Sequence, residues 1–295
     1  MRVAETGTRI TLNNIVVATD FSPSANNALP YAGDLAARYG SKLYIVHAKT
    51  PVNYAVPAQA WQTTVDEARE IEMQELRKSL ATSFPGVQSE SVIGDGTAWD
   101  VLATVLEKHS VDMIVVGTRG RTGLGKLLLG SQAEEILRRA PCPVLTVGPH
   151  AQPEKARLSS VLYATDFGPE SQAAAPYAIS LAQEHQAALT LLHVLEEPKT
   201  GELVLPGDLM TSTQTVLRAM VPNEAKFWCE PRCVVEQGKP AEKILDVAAR
   251  YRADLIVLGA RKPTGVPGAA THLSMATIHQ VVTHATCPVL TVRGG

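Results

Sequence analysis

Two stretches of the chain match each other and decide the fold. Residues 15–48 read IVVATDFSPSANNALPYAGDLAARYGSKLYIVHA, and residues 161–194 read VLYATDFGPESQAAAPYAISLAQEHQAALTLLHV. Each stretch passes from a short β-rich run through a helical run into a second β-rich run, which is the pattern of a βαβ unit. The chain is therefore predicted to contain two copies of one α/β domain.

The correspondence continues to the end of the chain. Gly96 matches Gly238, Gly117 matches Gly259, and the segment CPVLTV occurs in both copies. A period this long is typical of a domain duplication and not of a solenoid repeat. We predict domain 1 at residues 1–148, a linker containing proline and charged residues at 149–157, and domain 2 at residues 158–295.

Composition limits the class of protein. The chain has 295 residues and a net charge of −2, with 27 Lys and Arg against 29 Asp and Glu, so a nucleic-acid partner is not expected. No stretch approaches the roughly 20 apolar residues of a membrane span, and the start has no apolar run of signal-peptide length. We expect a cytoplasmic protein without a membrane partner.

Strands and helices alternate along both copies, which predicts an open parallel sheet with helices on both faces. Ser22 is predicted to cap the first helix, with Pro23 at its first position. The strands of copy one are predicted at 15–19, 42–47, 87–93, 112–117 and 143–147, and its helices near 23–39, 61–82, 97–109 and 131–139. The strands of copy two are predicted at 160–165, 188–193, 231–236, 254–259 and 288–292.

A glycine-rich loop follows the fourth strand of copy one, where residues 117–131 read GTRGRTGLGKLLLGS. Glycines let backbone N–H groups approach a ligand, and the following helix directs its positive dipole end towards them. Ser131 is predicted to cap that helix in a capping box with Glu134. The loop is thus a predicted binding site for an anion such as phosphate.

No metal site is predicted. Cys229 and Cys233 form a close pair without a second pair of ligands, and the spacing of His272, His279 and His284 does not put all three on one helical face. Cys142 and Cys287 precede proline and a β-rich tail, which favours core packing. His47 and His193 are interpreted as core histidines at equivalent strand ends.

The order of these motifs resembles the universal stress protein family, with two such domains in one chain. The resemblance rests on ATDFS at 18–22, His47, Gly96, the spacing Gly-x2-Gly-x9-Gly-Ser and the terminal PCPVLTV. It implies a Rossmann-like, five-stranded parallel sheet of order 3-2-1-4-5 in each domain. It also implies that the first copy is of the type that binds ATP, and it leaves open whether Mg²⁺ accompanies the nucleotide.

The resemblance assigns roles to residues of the first copy. Asp20 with Thr19 and the backbone at Ala48 would hold adenine or ribose. Ribose and phosphates would be held by Gly117, Gly120, Gly130 and Ser131. The residue types leave two of these roles open. Asp20 could instead cap the helix that starts near Ser22. Arg119 could pair with phosphate or remain solvated.

The second copy lacks this loop. Lys262 replaces Gly120, and either His272–Leu273 or Met275–Ala276 replaces Gly130–Ser131. Pro263 and Pro267 also remove N–H donors that an anion would need. We expect one nucleotide site per chain and no triphosphate in the second copy.

Three functions are compatible with the sequence. The first is an ATP-binding regulatory or stress-response protein that is not an enzyme. The second is a slow ATP hydrolase in which Asp20 helps to hold Mg²⁺, although no residue is a convincing base and the loop lacks a Walker lysine. The third is a nucleotide-free interaction protein, and flavin binding remains as an analogy from the fold alone.

The repeated CPVLTV tails predict how the two domains meet. An edge strand presents unpaired N–H and C=O groups, which favour pairing with an equivalent strand. We expect residues 143–147 and 288–292 to pair antiparallel as an intramolecular pseudo-dimer, which the family resemblance also suggests. Whether two chains form a homodimer is left open.

Overall fold

A computed structural model describes residues 9–49, 59–118, 129–152, 156–195, 207–223, 225, 230–260 and 274–293. The first half contains β1 (Asn14–Ala18), α1 (Pro23–Asn26), α2 (Ala28–Tyr39), β2 (Lys42–Lys49), α3 (Gln59–Ser83), β3 (Ser89–Asp95), α4 (Ala98–Lys108), β4 (Met113–Gly117), α5 (Ser131–Arg139) and β5 (Val144–Val147). The second half contains β6 (Ser160–Ala164), α6 (Pro169–His185), β7 (Ala188–Leu195), α7 (Gly207–Ala219), β8 (Arg232–Gln237), α8 (Pro240–Arg250), β9 (Leu255–Ala260), α9 (Met275–His284) and β10 (Val289–Arg293).

The predicted strands are present, with ends that differ by no more than two residues. The first helix differs from its prediction because it is divided at Asn27 into α1 and α2. Pro30 has no N–H to donate to the carbonyl of Asn26. The equivalent Pro176 lies inside the continuous helix α6, so the proline alone does not account for the interruption. The predicted cap at Ser22 is confirmed, since its side chain accepts a hydrogen bond from the Ala25 N–H at 3.1 Å.

The strands form one ten-stranded sheet of order β3-β2-β1-β4-β5-β10-β9-β6-β7-β8. Each half has the predicted order 3-2-1-4-5, and its strands pair in parallel. The halves meet where β5 and β10 pair antiparallel, with Leu145 opposite Leu290. This pairing confirms the predicted contact between the final strands.

Two threonine hydroxyls add to the contact between β5 and β10. Thr146 donates to the carbonyl of Val289 at 3.0 Å, and Thr291 donates to the carbonyl of Val144 at 3.2 Å. The two bonds relate equivalent positions of the two copies, so the contact has the self-complementary form of a two-fold interface.

The sheet separates two hydrophobic cores. Along β1, Ile15 and Val17 face the core covered by α2, α3, α6 and α7, whereas Val16 faces the core covered by α4, α5, α8 and α9. Successive residues of a strand point to opposite faces, so a strand buried on both sides needs a continuous apolar run. Among the described residues, no helix is both long enough and apolar enough to cross a membrane.

Glycine ends β4 and lies within β9 because a Cβ atom at either position would collide with helix backbone. A Cβ on Gly259 would lie 2.3 Å from the Ser171 nitrogen, and a Cβ on Gly117 would lie 2.8 Å from the Ser24 carbonyl oxygen. The first helix of each copy therefore packs directly on the fourth strand, and this contact gives both glycines a packing role.

We predict that Gly259→Ala lowers the free energy of unfolding by about 1–3 kcal/mol, because the start of α6 must move to admit the methyl group. Gly148→Ala is the matched control, since its Cβ would make only an ordinary contact at 3.6 Å with the Ala285 carbonyl oxygen. Urea unfolding followed by circular dichroism measures both variants. Equal losses of stability in the two variants would contradict the packing role.

Candidate functional site

The strand register brings most of the predicted site residues to one edge of the sheet. Ala18 pairs with Val46 of β2 and with Val116 of β4, so Thr19 lies level with the carboxyl ends of both neighbours. Ligands of open α/β sheets bind at this edge, where the strand order reverses. The β1, β2 and β4 ends are therefore the candidate site.

The glycine loop returns to the same edge. The Gly130 N–H donates to the carbonyl of Thr118 at 2.8 Å, so the start of α5 lies beside the end of β4. The edge thus gathers six of the predicted residues, which are Thr19, Asp20, Ala48, Gly117, Gly130 and Ser131. Arg119 and Gly120 lie outside the described residues.

A tight turn follows β1, and its side chains hold its own backbone. The Thr19 hydroxyl accepts from the Phe21 N–H at 2.9 Å and donates to the Asn26 side chain at 3.2 Å. Asp20 accepts from the Ser22 N–H at 3.0 Å, and Phe21 has a left-handed φ of 61°. Asp20 therefore has a structural share in the turn, whereas the cap of the helix is Ser22 and not Asp20.

The same turn occurs in the second copy. Thr165 accepts from the Phe167 N–H at 3.0 Å, and Phe167 also has a φ of 61°. Because the turn is present in both halves, its geometry belongs to the fold and does not by itself mark a ligand site.

The histidine at the end of the second strand supports this turn. Nδ1 of His47 lies 2.8 Å from the Thr19 carbonyl oxygen, and its ring lies 4.3 Å from the ring of Phe21. His193 repeats both contacts at 2.8 Å and 4.4 Å in the second copy, and burial lowers its pKa. The interpretation of both histidines as core residues is consistent with these contacts.

Charged side chains surround the edge in the first copy. The Arg69 guanidinium lies 5.6 Å from the centre of the Phe21 ring. Lys49 lies 3.3 Å from Asp66 and 3.4 Å from Asp95, and hydrogen bonding to these carboxylates raises its pKa. Leu195 stands at the position of Lys49 in the second copy, so this ionic group belongs to the first copy alone.

The predicted capping box at Ser131 is wrong. Gly130 is the N-cap of α5, with φ −62° and ψ 144°, and Glu134 donates its N–H to the Gly130 carbonyl at 2.9 Å. The Gly130 N–H bonds the carbonyl of Thr118, and Gly130 keeps an extended backbone there. The helix therefore begins one residue later, at Ser131. Glu134 is then one residue too late for a capping box.

This start leaves hydrogen-bond donors at the site. The N–H groups of Ser131, Gln132 and Ala133 precede the first intrahelical bond, so they have no acceptor within α5. Gly130 has no side chain that could supply one. Such donors at the positive end of a helix are suited to an anion.

The equivalent helix of the second copy is capped differently. Ser274 is the N-cap of α9, and its hydroxyl accepts from the Thr277 N–H at 3.1 Å. Counted back from the C-caps Ala140 and Ala285, Met275–Ala276 occupy the positions of Gly130–Ser131. This relation favours the second of the two sequence alignments.

Other differences of the second loop fall on residues that the structure does not describe. These residues are Lys262, Pro263, Pro267 and His272–Leu273. Within the described part, the first helix differs as well, because Glu170 and Ser171 of α6 replace Ser24 and Ala25 of α1. The Ser171 hydroxyl donates to Asp166 at 2.6 Å, a bond for which Ala25 has no donor.

Within the described ranges, no group of three or more His, Cys, Asp and Glu side chains could hold a metal ion. Cys229 and His272 lie outside those ranges, whereas His284 bonds the Gln280 carbonyl of its own helix at 2.8 Å. Burial raises the pKa values of the Cys142 and Cys287 thiols to about 12, as expected for thiols that pack in a core.

Comparisons with known proteins agree with the fold and the repeat. A family model described as the universal stress protein family matches residues 11–148 and again residues 158–293. A universal stress protein of Mycolicibacterium smegmatis is 27% identical over 290 residues, which cover 95% of this chain and 96% of the relative. One from Thermus aquaticus is 34% identical over 136 residues, covering 45% of this chain and 96% of its own.

A solved structure has the same fold along its whole length. The crystal structure of a universal stress protein from Archaeoglobus fulgidus superposes with a TM-score of 0.71 at 20% identity. The superposition covers 97% of this chain and 100% of that chain.

The structural share of Asp20 can be measured separately from any ligand contact. We predict that Asp20→Ala lowers the free energy of unfolding by about 1–3 kcal/mol, because the Ser22 N–H loses a charged acceptor. Asp20→Asn keeps an acceptor oxygen and should lose less than half of that. Urea unfolding without ligand measures both, and equal stability of Asp20→Ala and the unmodified protein would contradict the role in the turn.

Proposed function

We propose that this chain, which belongs to the universal stress protein family, binds one adenine nucleotide in domain 1 and acts as a regulatory or stress-response protein. ATP is the proposed nucleotide. The proposed binding residues are Thr19, Asp20, Ala48, Gly117, Arg119, Gly120, Gly130 and Ser131. The proposed domains are residues 1–148 and 158–295, joined by residues 149–157.

The observation that carries the proposal is the start of α5. Its first turn has N–H donors without intrahelical acceptors, a glycine cap, and a bond that holds it beside the end of β4. A phosphate placed there would accept charge-assisted hydrogen bonds and would face the positive end of the helix dipole. The helix start therefore supports a phosphate-bearing ligand more directly than any other described feature of this edge.

The turn after β1 would serve the other end of the nucleotide. Thr19, Asp20 and the backbone at Ala48 lie at the carboxyl ends of β1 and β2, next to the proposed phosphate site along the same edge. Asp20 bonds its own turn through Oδ1, and a carboxylate oxygen can accept more than one hydrogen bond. A structural role and a ribose contact are thus compatible in one side chain.

The second copy supports a single site per chain. The hydroxyl of Ser274 already occupies a donor in the first turn of α9, so the capping interaction competes with an external anion. Glu170 replaces Ser24 of the first copy and has its backbone beside the fourth strand, so this end of α6 carries a negative charge that does not favour phosphate. We therefore propose that domain 2 binds no triphosphate.

Isothermal titration calorimetry with ATP, with and without Mg²⁺, tests the proposal. We expect one site per chain in the unmodified protein. Gly130→Ser should weaken binding at least about tenfold, because the new hydroxyl would cap the N–H groups that the phosphate needs. The extended conformation of Gly130 accommodates serine, so α5 should remain folded.

Ser274→Gly is the matched control, because it removes the equivalent cap from domain 2. It should leave the affinity and the number of sites unchanged. Binding at two sites, unchanged binding by Gly130→Ser, or the absence of any ATP binding would overturn the proposal. Mass spectrometry of ligand released from the denatured protein identifies the nucleotide independently.

A further inference from the structure

The helices α2 and α6 make the same contact twice, once with neutral and once with ionisable groups. The Tyr39 hydroxyl lies 3.1 Å from the Ser180 hydroxyl, and Nε2 of His185 lies 3.5 Å from Oδ2 of Asp34. His185 occupies the position of Tyr39 in the repeat, and Ser180 occupies that of Asp34. The two copies have therefore diverged at one contact into a pair that can respond to protons.

His185 is fully buried and has a defined hydrogen bond. Its Nδ1 accepts the backbone N–H of Leu158 at 3.2 Å, so the ring is neutral and carries its hydrogen on Nε2. Among the described residues, Nε2 has no hydrogen-bond partner, although Oδ2 of Asp34 lies 3.5 Å away. The hydrogen bond at Nδ1 joins α6 to Leu158, the residue directly after the linker.

Asp34 favours a positive charge on His185, but its carboxylate is already paired with Arg38. Arg38 bonds both carboxylate oxygens of Asp34, at 2.7 Å and 3.2 Å, and also donates to the Glu184 carbonyl at 3.2 Å. The ionisable groups around His185 come from α2, the linker and α6, and they are Tyr31, Asp34, Arg38, Arg157 and Glu184. The two arginines oppose a positive charge on the ring.

The pKa of His185 is lowered to about 4, mainly by burial and also by the positive charges of Arg38 and Arg157, while Asp34 acts in the opposite direction. An exposed histidine titrates near pH 6.5. At a pH between about 4 and 6.5, a conformation that exposes the His185 ring binds a proton more tightly than the conformation in which the ring is buried. Falling pH therefore favours the exposed conformation within that interval.

A cavity lies beside the ring, between the sheet and the two helices. It measures about 20 Å³, roughly the space for one water molecule. Its lining includes Leu35, Leu158, Leu181, His185 and Leu290. Apolar walls give a charged ring little solvation, so the imidazolium gains most by leaving this position.

We propose that His185 is an acid-sensitive latch that holds Leu158, the residue directly after the interdomain linker, against α6. A proton from solvent binds Nδ1, after which both ring nitrogens carry hydrogen and neither can accept the Leu158 N–H. The bond between Leu158 and α6 is then lost, and residues 156–158 separate from the helix. The neutral contact between Tyr39 and Ser180 does not respond in this range, since burial raises the pKa of Tyr39 to about 12. The latch is independent of nucleotide binding.

Amide hydrogen exchange of the full chain between pH 6.5 and pH 4.5 tests the latch. After correction for intrinsic exchange, protection of the Leu158 amide should fall by up to about tenfold per pH unit. The amide of Ile256, which bonds the Pro288 carbonyl within the sheet, should keep its protection. His185→Gln keeps an acceptor for Leu158 without titrating, so its Leu158 protection should not change with pH.

The double variant His185→Tyr with Asp34→Ser reproduces the neutral contact of the other copy and should also be insensitive to pH. The same pH dependence at Leu158 in these variants as in the unmodified protein would overturn the latch. A parallel loss at Ile256 would also overturn it, because the whole domain would then be unfolding. A ring titration of His185 near pH 6.5 by NMR would contradict its burial.

Discussion

The antiparallel pairing of β5 with β10 is the contact on which the rest of the architecture depends. It converts two open sheets into one ten-stranded sheet and removes two exposed edges at the middle of the molecule. Because the pairing relates equivalent strands, it also places α2 beside α6 in a nearly two-fold arrangement. The Tyr39 and His185 contacts, and the cavity between the helices, follow from that placement.

A comparison of the two copies distinguishes features that the fold requires from features that a ligand would require. The turn after β1, the histidine that supports it and the glycine beneath the first helix occur in both copies, so each has a structural explanation. The start of the fifth helix differs, with a glycine cap in one copy and a serine cap in the other. Within the described residues, the two copies thus differ at the start of this helix and at Lys49, which is Leu195 in the second copy.

Most of the fold could be predicted because its signals are local and periodic. Apolar runs located the strands, and the repeat located the second copy. The division at Asn27 and the shift of the α5 cap from Ser131 to Gly130 could not be read in this way. The cap depends on a bond between Gly130 and Thr118, and the loop that joins them gives no local sign of it. Phe21 is comparable, since its left-handed φ is held by a threonine hydroxyl and an aromatic contact.

The sequence by itself determined the two copies and the order of their elements, and it predicted the pairing of their last strands and the edge at which a ligand would bind. These features depend on side-chain periodicity and on rules of parallel sheets that hold for any such chain. Only the tertiary structure showed which backbone N–H groups lack an acceptor at the start of α5. It also showed why positions 117 and 259 require glycine and why His185 is neutral. Each of these depends on a partner from a distant segment, and burial and hydrogen-bond geometry exist only after those segments have packed together.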